Sequence, residues 1–248
     1  MKIGLLGTGF MGKHLARKLA AAGHDVKVTN SRGPQSISAD VLETGARAAT
    51  VEDTLKDVDV VILAMPHPGL EKIRHLGASL PEQTVVIDIS NYHPLRDGEN
   101  PQLEAGKVES EWVQEVLGHP ITKAWNSIAM FSFEQKGLPQ GHPRRIALPV
   151  AGDRVRDREV AISLVNDTGF DGYDAGPLAE SWRQQPASPV YITDLTYDEI
   201  GPALASAERD RLPRRRDLSA QVFEERSGSQ RAAPDAETVV RIARALYM

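Results

Sequence analysis

The 248-residue sequence contains no cysteine. That absence excludes disulfides, thiolate nucleophiles and cysteine-ligated zinc or iron–sulfur sites. Aromatic residues are 5% of the chain and methionines number 5, too few for an adaptable partner-binding groove. An excess of positive charge is missing as well. The formal net charge of −5 argues against nucleic acid as a main partner, because phosphate binding needs a basic surface. Long apolar runs are absent: residues 3–6 stop at Gly7, too short for a signal-peptide core. Residues 58–65 are interrupted by Asp59 and fall far below the roughly 20 residues of a membrane helix. A soluble, cytoplasmic protein with no membrane partner is expected. No Gly-x-Ser-x-Gly elbow supports a hydrolase. His14, His24, His67, His75, His93, His119 and His142 show no ligand spacing, so no metal site is expected. His67, following a strand end, has two readings: a proton donor to substrate, or a partly exposed loop histidine, which is favoured.

What is present is an alternation of short apolar runs with amphipathic stretches, in a chain 41% apolar and 25% charged. Such alternation predicts an α/β fold with a parallel sheet. Strands are expected over 2–6, 25–29, 58–64, 84–89, 121–125, 145–151 and 171–174. Helices are expected over 10–22, 70–80, 109–117 and 154–168. Thr196 and Glu199 have the spacing of a capping box, with a helix to follow. A charge-dense stretch over 209–216 reads as a solvated or salt-bridged face. A flexible connection is expected over 226–234, then a final helix over 235–246. The chain divides near residues 126–137, into a nucleotide-binding domain over 1–127 and a smaller region with a helical tail over 128–248.

Gly7-Thr8-Gly9-Phe10-Met11-Gly12 is a G-x-G-x-x-G motif between the first strand and first helix. There the first glycine permits the tight turn, the second admits a pyrophosphate to the backbone, and the third lets helix and strand pack closely. The unit is therefore a Rossmann βαβ element opening a doubly wound sheet, and a nicotinamide dinucleotide is its expected ligand. An NAD site carries an acidic residue at the end of the second strand; this chain has Thr29-Asn30-Ser31-Arg32. A hydroxyl and a guanidinium there suit the 2′-phosphate of NADPH. Later strand ends should line the same crevice: Ala64-Met65-Pro66-His67, Asp88-Ile89-Ser90-Asn91 and Ala124-Trp125-Asn126.

Four segments resemble the reductases that pass hydride between NADP and the deazaflavin coenzyme F420, together with their bacterial NAD(P)-binding relatives. They are the glycine motif, Asn30-Ser31-Arg32-Gly33-Pro34, Lys123-Ala124-Trp125-Asn126 and Asp174-Ala175-Gly176-Pro177-Leu178. The resemblance spans residues 1–191 and includes the cytoplasmic domains of some ferric reductases. It implies that Thr8, Phe10 and Met11 cradle the pyrophosphate, that Ser31 and Arg32 hold the 2′-phosphate, and that F420 lies near Pro66, His67, Trp125 and Asn126. Trp125 takes the ring-stacking place, and a homodimer is implied. Hydride transfer between two rings needs proximity more than a protein acid or base, and no catalytic dyad is visible. The expected activity is an NADP-dependent oxidoreductase acting on a small-molecule redox acceptor. Alternatives are a reductase of a flavin, ferric chelate or small carbonyl or imine, and a non-catalytic NADPH-binding redox sensor. Replacing Arg32 by alanine should weaken NADPH binding by about 1–3 kcal/mol in a fluorescence titration and leave NADH nearly unchanged. Equal weakening of both nucleotides would refute the 2′-phosphate role.

Overall fold

Val60-Val61-Ile62-Leu63 are all buried, because successive side chains of a strand point to opposite faces and both faces of this sheet are covered. Val60 and Ile62 join one apolar cluster with Leu15, Leu19 and Leu164. Val61 and Leu63 join the other with Leu70, Trp112 and Val113. The structure, a computed structural model, describes residues 1–227 and 235–248. Its strands are β1 (Lys2–Leu6), β2 (Asp25–Thr29), β3 (Arg47–Ala48), β4 (Val60–Leu63), β5 (Val85–Asp88), β6 (Ile121–Lys123), β7 (Ala147–Gly152) and β8 (Asp171–Asp174). They form one eight-stranded sheet in the order β3-β2-β1-β4-β5-β6-β7-β8. All neighbours are parallel except β6 and β7, where Thr122 faces Gly152 and Lys123 faces Ala151. The expected doubly wound α/β architecture is what the chain adopts. The regions expected at 1–127 and 128–248 share this one sheet.

The longer helices are α1 (Phe10–Ala21), α2 (Glu109–Leu117), α3 (Met130–Gln135), α4 (Val155–Asp167), α5 (Tyr197–Ala205), α6 (Leu212–Ser227) and α7 (Ala236–Tyr247). Helix α1 buries Leu15, Ala16 and Leu19, the stripe its spacing predicts. The single helix expected over 70–80 is instead two short ones, His67–Lys72 and Arg74–Gly77. The chain re-aims at Ile73 (φ −102°, ψ 7°) and brings Gly77 against the end of α2. A Cβ at Gly77 would lie 2.0 Å from the Leu117 carbonyl oxygen, so only glycine allows that approach. Two-residue β3 is too short to leave a periodic signal.

In the tail, the charge-dense stretch 209–216 leads into and begins α6. Three of its cations are engaged by carboxylates: Glu208 accepts from Arg211 at 2.8 Å and Arg215 at 3.0 Å, and Arg216 bonds Asp217 at 2.9 Å. Of the connection expected over 226–234, residues 226 and 227 belong to α6 and the rest lie outside the described residues. Among the described residues, no helix is long and apolar enough to cross a membrane, and no three His, Asp or Glu side chains group to hold a metal. Helix α5 opens with the expected capping box, Thr196 N–H donating to Glu199 Oε2 at 2.8 Å. Thr196→Ala should lower unfolding stability by about 1 kcal/mol, measured by denaturant titration. An unchanged midpoint would mean that this cap contributes nothing to the tail.

Candidate functional site

The strand order reverses between β1 and β4, and a crevice opens beyond their carboxyl ends, where open parallel sheets hold ligands. The turn after β1 forms its first wall. Gly7 has φ +109°, and a Cβ there would lie 2.2 Å from Ala64 O; a Cβ on Gly12 would lie 2.0 Å from Gly7 O. These contacts press the turn against the end of β4. At Gly9 an added Cβ would meet nothing within 4 Å, so the backbone there faces open space. Gly9 also caps α1, whose first turn has no acidic residue and no side-chain cap. Its free N–H groups and positive dipole end are available to an anion. Both observations fit a pyrophosphate.

At the end of β2, Asn30 links the two loops. Its Nδ2 donates to Thr8 Oγ1 at 3.1 Å, and its Oδ1 accepts from Arg32 N–H at 2.9 Å and Ser36 Oγ at 3.0 Å. Ser31 and Arg32 are exposed beyond it. Among the described residues, the Arg32 guanidinium makes no ion pair or hydrogen bond, in contrast to the engaged arginines of the tail. An unneutralised cation beside a dinucleotide turn suits a 2′-phosphate.

A cleft of about 400 Å³ runs from this turn along the strand ends. Gly9, Phe10, Met11, Gly12, Ala64, Met65, Pro66, Trp125 and Asn126 line it, so nine of the expected residues meet there. The remaining seven do not line it. Gly7 and Thr8 form the turn behind, Asn30, Ser31 and Arg32 stand at the neighbouring strand end, and Ala124 is wholly buried.

His67 is drawn away from the expected position. It is 3% exposed, stacked on Trp112 (4.8 Å between centroids) and Tyr92 (5.8 Å), and it fronts a different cavity. It is therefore neither a loop histidine nor a group facing the cleft; its two aromatic neighbours arrive from distant segments. Trp125 also departs from its expected role. With φ 53° at a bulky residue, its indole is 1% exposed and Nε1 donates to Thr168 Oγ1 at 3.2 Å, so the ring belongs to the core. Asn126 is a strut: its Nδ2 donates to Asn91 Oδ1 (3.0 Å) and Gln184 O (2.8 Å), and its Oδ1 accepts from Gln184 Nε2 (2.9 Å).

Ile89, Ser90, Asn91, His93 and Arg96 continue the lining from the loop after β5. Ile128, Ala129, Met130 and Phe131 add the segment entering α3, and Tyr191, Ile192 and Val239 come from the tail. Ala129, Tyr191, Ile192 and Val239 belong to the apolar cluster that seats α7. No local pattern singles these out, because sheet closure and the tail's return bring them together.

Residues 2–92 match the family described as NADP oxidoreductase, coenzyme F420-dependent. The Escherichia coli (strain K12) protein YjhV is 53% identical over 57 residues, which cover 23% of this chain and 42% of that protein. Metalloreductase STEAP3 of Rattus norvegicus is 24% identical over 192 residues, 77% of this chain and 37% of the rat protein. The chain thus spans less than half the length of either relative. The crystal structure of protein SMa0349 from Sinorhizobium meliloti superimposes with TM-score 0.67 at 26% identity, covering 80% of this chain and 96% of that one.

Where residues 2–92 meet the rest of the chain, Lys123 Nζ donates to Asp88 Oδ2 at 2.6 Å and also to the Ser90 carbonyl. Both side chains are almost fully buried. Burial alone would raise the Asp88 carboxyl; the Lys123 ammonium outweighs it and holds the carboxyl below its usual range. Glu109, from α2, is 3% exposed and accepts from Tyr92 N–H at 3.1 Å and Gln185 Nε2 at 3.2 Å. Burial pushes its pKa up to about 7, against the pull of Lys123. Burial pushes His67 down to about 4.

These two groups oppose each other in pH. Folded Glu109 holds its proton more tightly than the unfolded chain, so its stabilising contribution is full below its ordinary 4.5 and is lost as pH rises through about 7. His67 resists protonation when folded, so its contribution is present above 6.5 and lost as pH falls through about 4. Glu109→Gln removes the first effect and leaves the second. Relative to wild type, the variant should gain about 1–3 kcal/mol as pH rises from 4.5 to above 7, read from denaturant midpoints. A pH-independent difference would show that Glu109 ionises normally.

Proposed function

We propose that the protein is an NADP(H)-dependent oxidoreductase that transfers hydride between NADPH and a second redox cofactor, coenzyme F420. The observation that carries the nucleotide half is the Arg32 guanidinium at the end of β2, unengaged among the described residues, beside a turn whose Gly9 faces open space. In this reading the N–H groups at the start of α1 bind the pyrophosphate, and Ser31 with Arg32 takes the 2′-phosphate. Bound there, NADPH supplies a hydride from nicotinamide C4. The chain's part is to align two rings and exclude water along the apolar cleft. The family described for residues 2–92 supports F420 as the partner ring.

A second reading keeps the nucleotide and changes the acceptor to a flavin or ferric chelate. The 192-residue similarity to metalloreductase STEAP3 favours it, since that match extends well past the domain.

Protein, NADPH and oxidised F420 are mixed with and without oxygen, and deazaflavin absorbance is followed. Loss of that absorbance with stoichiometric NADPH oxidation is expected. No change under either condition removes F420, and NADPH consumption by flavin or ferric citrate then supports the second reading. If none of the three consumes NADPH, the oxidoreductase reading falls.

A further inference from the structure

The cleft has one end for a dinucleotide and another walled by the tail. At the second end the Tyr191 hydroxyl lies 3.4 Å from His93 Nε2, and both residues line the cleft. The two are 98 positions apart in the chain, so no sequence pattern could pair them. We propose that Tyr191, backed by His93, is the proton donor of this cleft, and that the acceptor is a conjugated C=N or C=O system whose heteroatom takes a proton as its carbon takes the hydride. The inference rests on the oxidoreductase reading above and adds a catalytic residue to it.

The other protic groups along the cleft are committed to partners or sealed off by burial. Asn91 and Asn126 bond each other. Arg96 is held by Asp97 at 2.7 Å and by the Asn91 carbonyl at 2.6 Å, and a guanidinium does not release a proton near neutrality. The Ser90 hydroxyl is buried out of reach of solvent. His67 and Glu109 do not line the cleft. Tyr191 remains, half-buried, and among the described residues only the loose bond to His93 holds its hydroxyl.

Its surroundings hold it in the protonated form. Burial, with Tyr247 and Glu109 nearby and Arg96 opposing, keeps the hydroxyl protonated. Burial with Arg96 pushes His93 down to about 4, against Asp97, with Arg216 adding to the push, so its ring is neutral at pH 7. A neutral imidazole can donate from one nitrogen while accepting at the other.

In the step, the Tyr191 O–H bond breaks and an N–H or O–H bond forms on the acceptor. The hydride of NADPH makes the new C–H bond and moves the π electron pair onto that heteroatom. NADPH loses two electrons and the acceptor gains them. Tyr191 regains its proton from His93 Nε2 as Nδ1 takes one from solvent.

The test compares wild type, Tyr191→Phe and His93→Asn in the full chain. NADPH affinity is measured by fluorescence. Single-turnover NADPH oxidation is measured with oxidised F420 and with 9,10-phenanthrenequinone, in water and in D₂O. Tyr191→Phe should keep NADPH affinity within ~2-fold and slow turnover ~100-fold or more, the usual contribution of a positioned acid. His93→Asn, which leaves the donor hydroxyl in place, should slow turnover ~10-fold and enlarge the solvent isotope effect. Unchanged turnover in Tyr191→Phe, with an active wild type, overturns this inference and leaves the oxidoreductase reading standing. A ~10-fold loss of NADPH affinity also overturns it, by making Tyr191 a nucleotide contact. If Tyr191→Phe does not fold, unchanged rate and isotope effect in His93→Asn overturn it. A wild type that oxidises NADPH with neither probe overturns both.

Discussion

A lysine and an aspartate, both almost without exposure, tie the end of β5 to the end of β6. An isolated buried charge would be expelled or neutralised, so each holds the other in place, and removing one partner of such a pair typically costs about 3–5 kcal/mol. Lys123 also donates to the Ser90 carbonyl, and Ser90 N–H donates to Asp88 Oδ1 at 3.0 Å. The ion pair therefore fixes the loop that leaves β5. That loop carries Asn91 and His93 to the cleft.

From there the order propagates by amide bonds. Asn91 meets Asn126 after β6, and Asn126 meets Gln184 in the short 3₁₀ segment Leu178–Gln184. Gln184 reaches further, donating to Pro149 O of β7 at 3.3 Å. Ile192 N–H then donates to Ser127 O at 2.6 Å, and Arg244 of α7 donates to Thr193 O at 2.7 Å. The amino-terminal strands and the tail are thus joined through polar contacts at the strand ends, where the cleft lies. A buried polar network of this kind selects one arrangement, because any slip leaves a donor or acceptor unpaired.

The opposite wall is set by steric closeness rather than by charge. Gly7 and Gly12 let β1, α1 and β4 approach to distances that a methyl group would forbid. One side of the cleft is consequently a backbone surface with free N–H groups. The other is an apolar surface made by α3, α7 and the segment around Tyr191. The first offers hydrogen-bond donors and a positive dipole end, the second apolar area.

Residue order alone determined the parts that depend on neighbours in the chain. Strands β1, β2 and β8 and helix α2 have the bounds that their periodicity predicts. The glycine turn and the capping box follow from local steric and hydrogen-bonding rules. The position of Arg32 after β2 follows from the length of the βαβ unit. Tertiary structure decided the rest, because it depends on pairs far apart. His67 and Trp125 read locally as strand-end groups facing a ligand. Trp112 and Tyr92 claim the first, and Thr168 with the core claims the second. Glu109 reads as a helix-start carboxylate, yet burial beside Tyr92 and Gln185 pushes its pKa up to about 7. Tyr191 and His93 carry no mark in sequence; closure of the tail over the sheet puts them 3.4 Å apart.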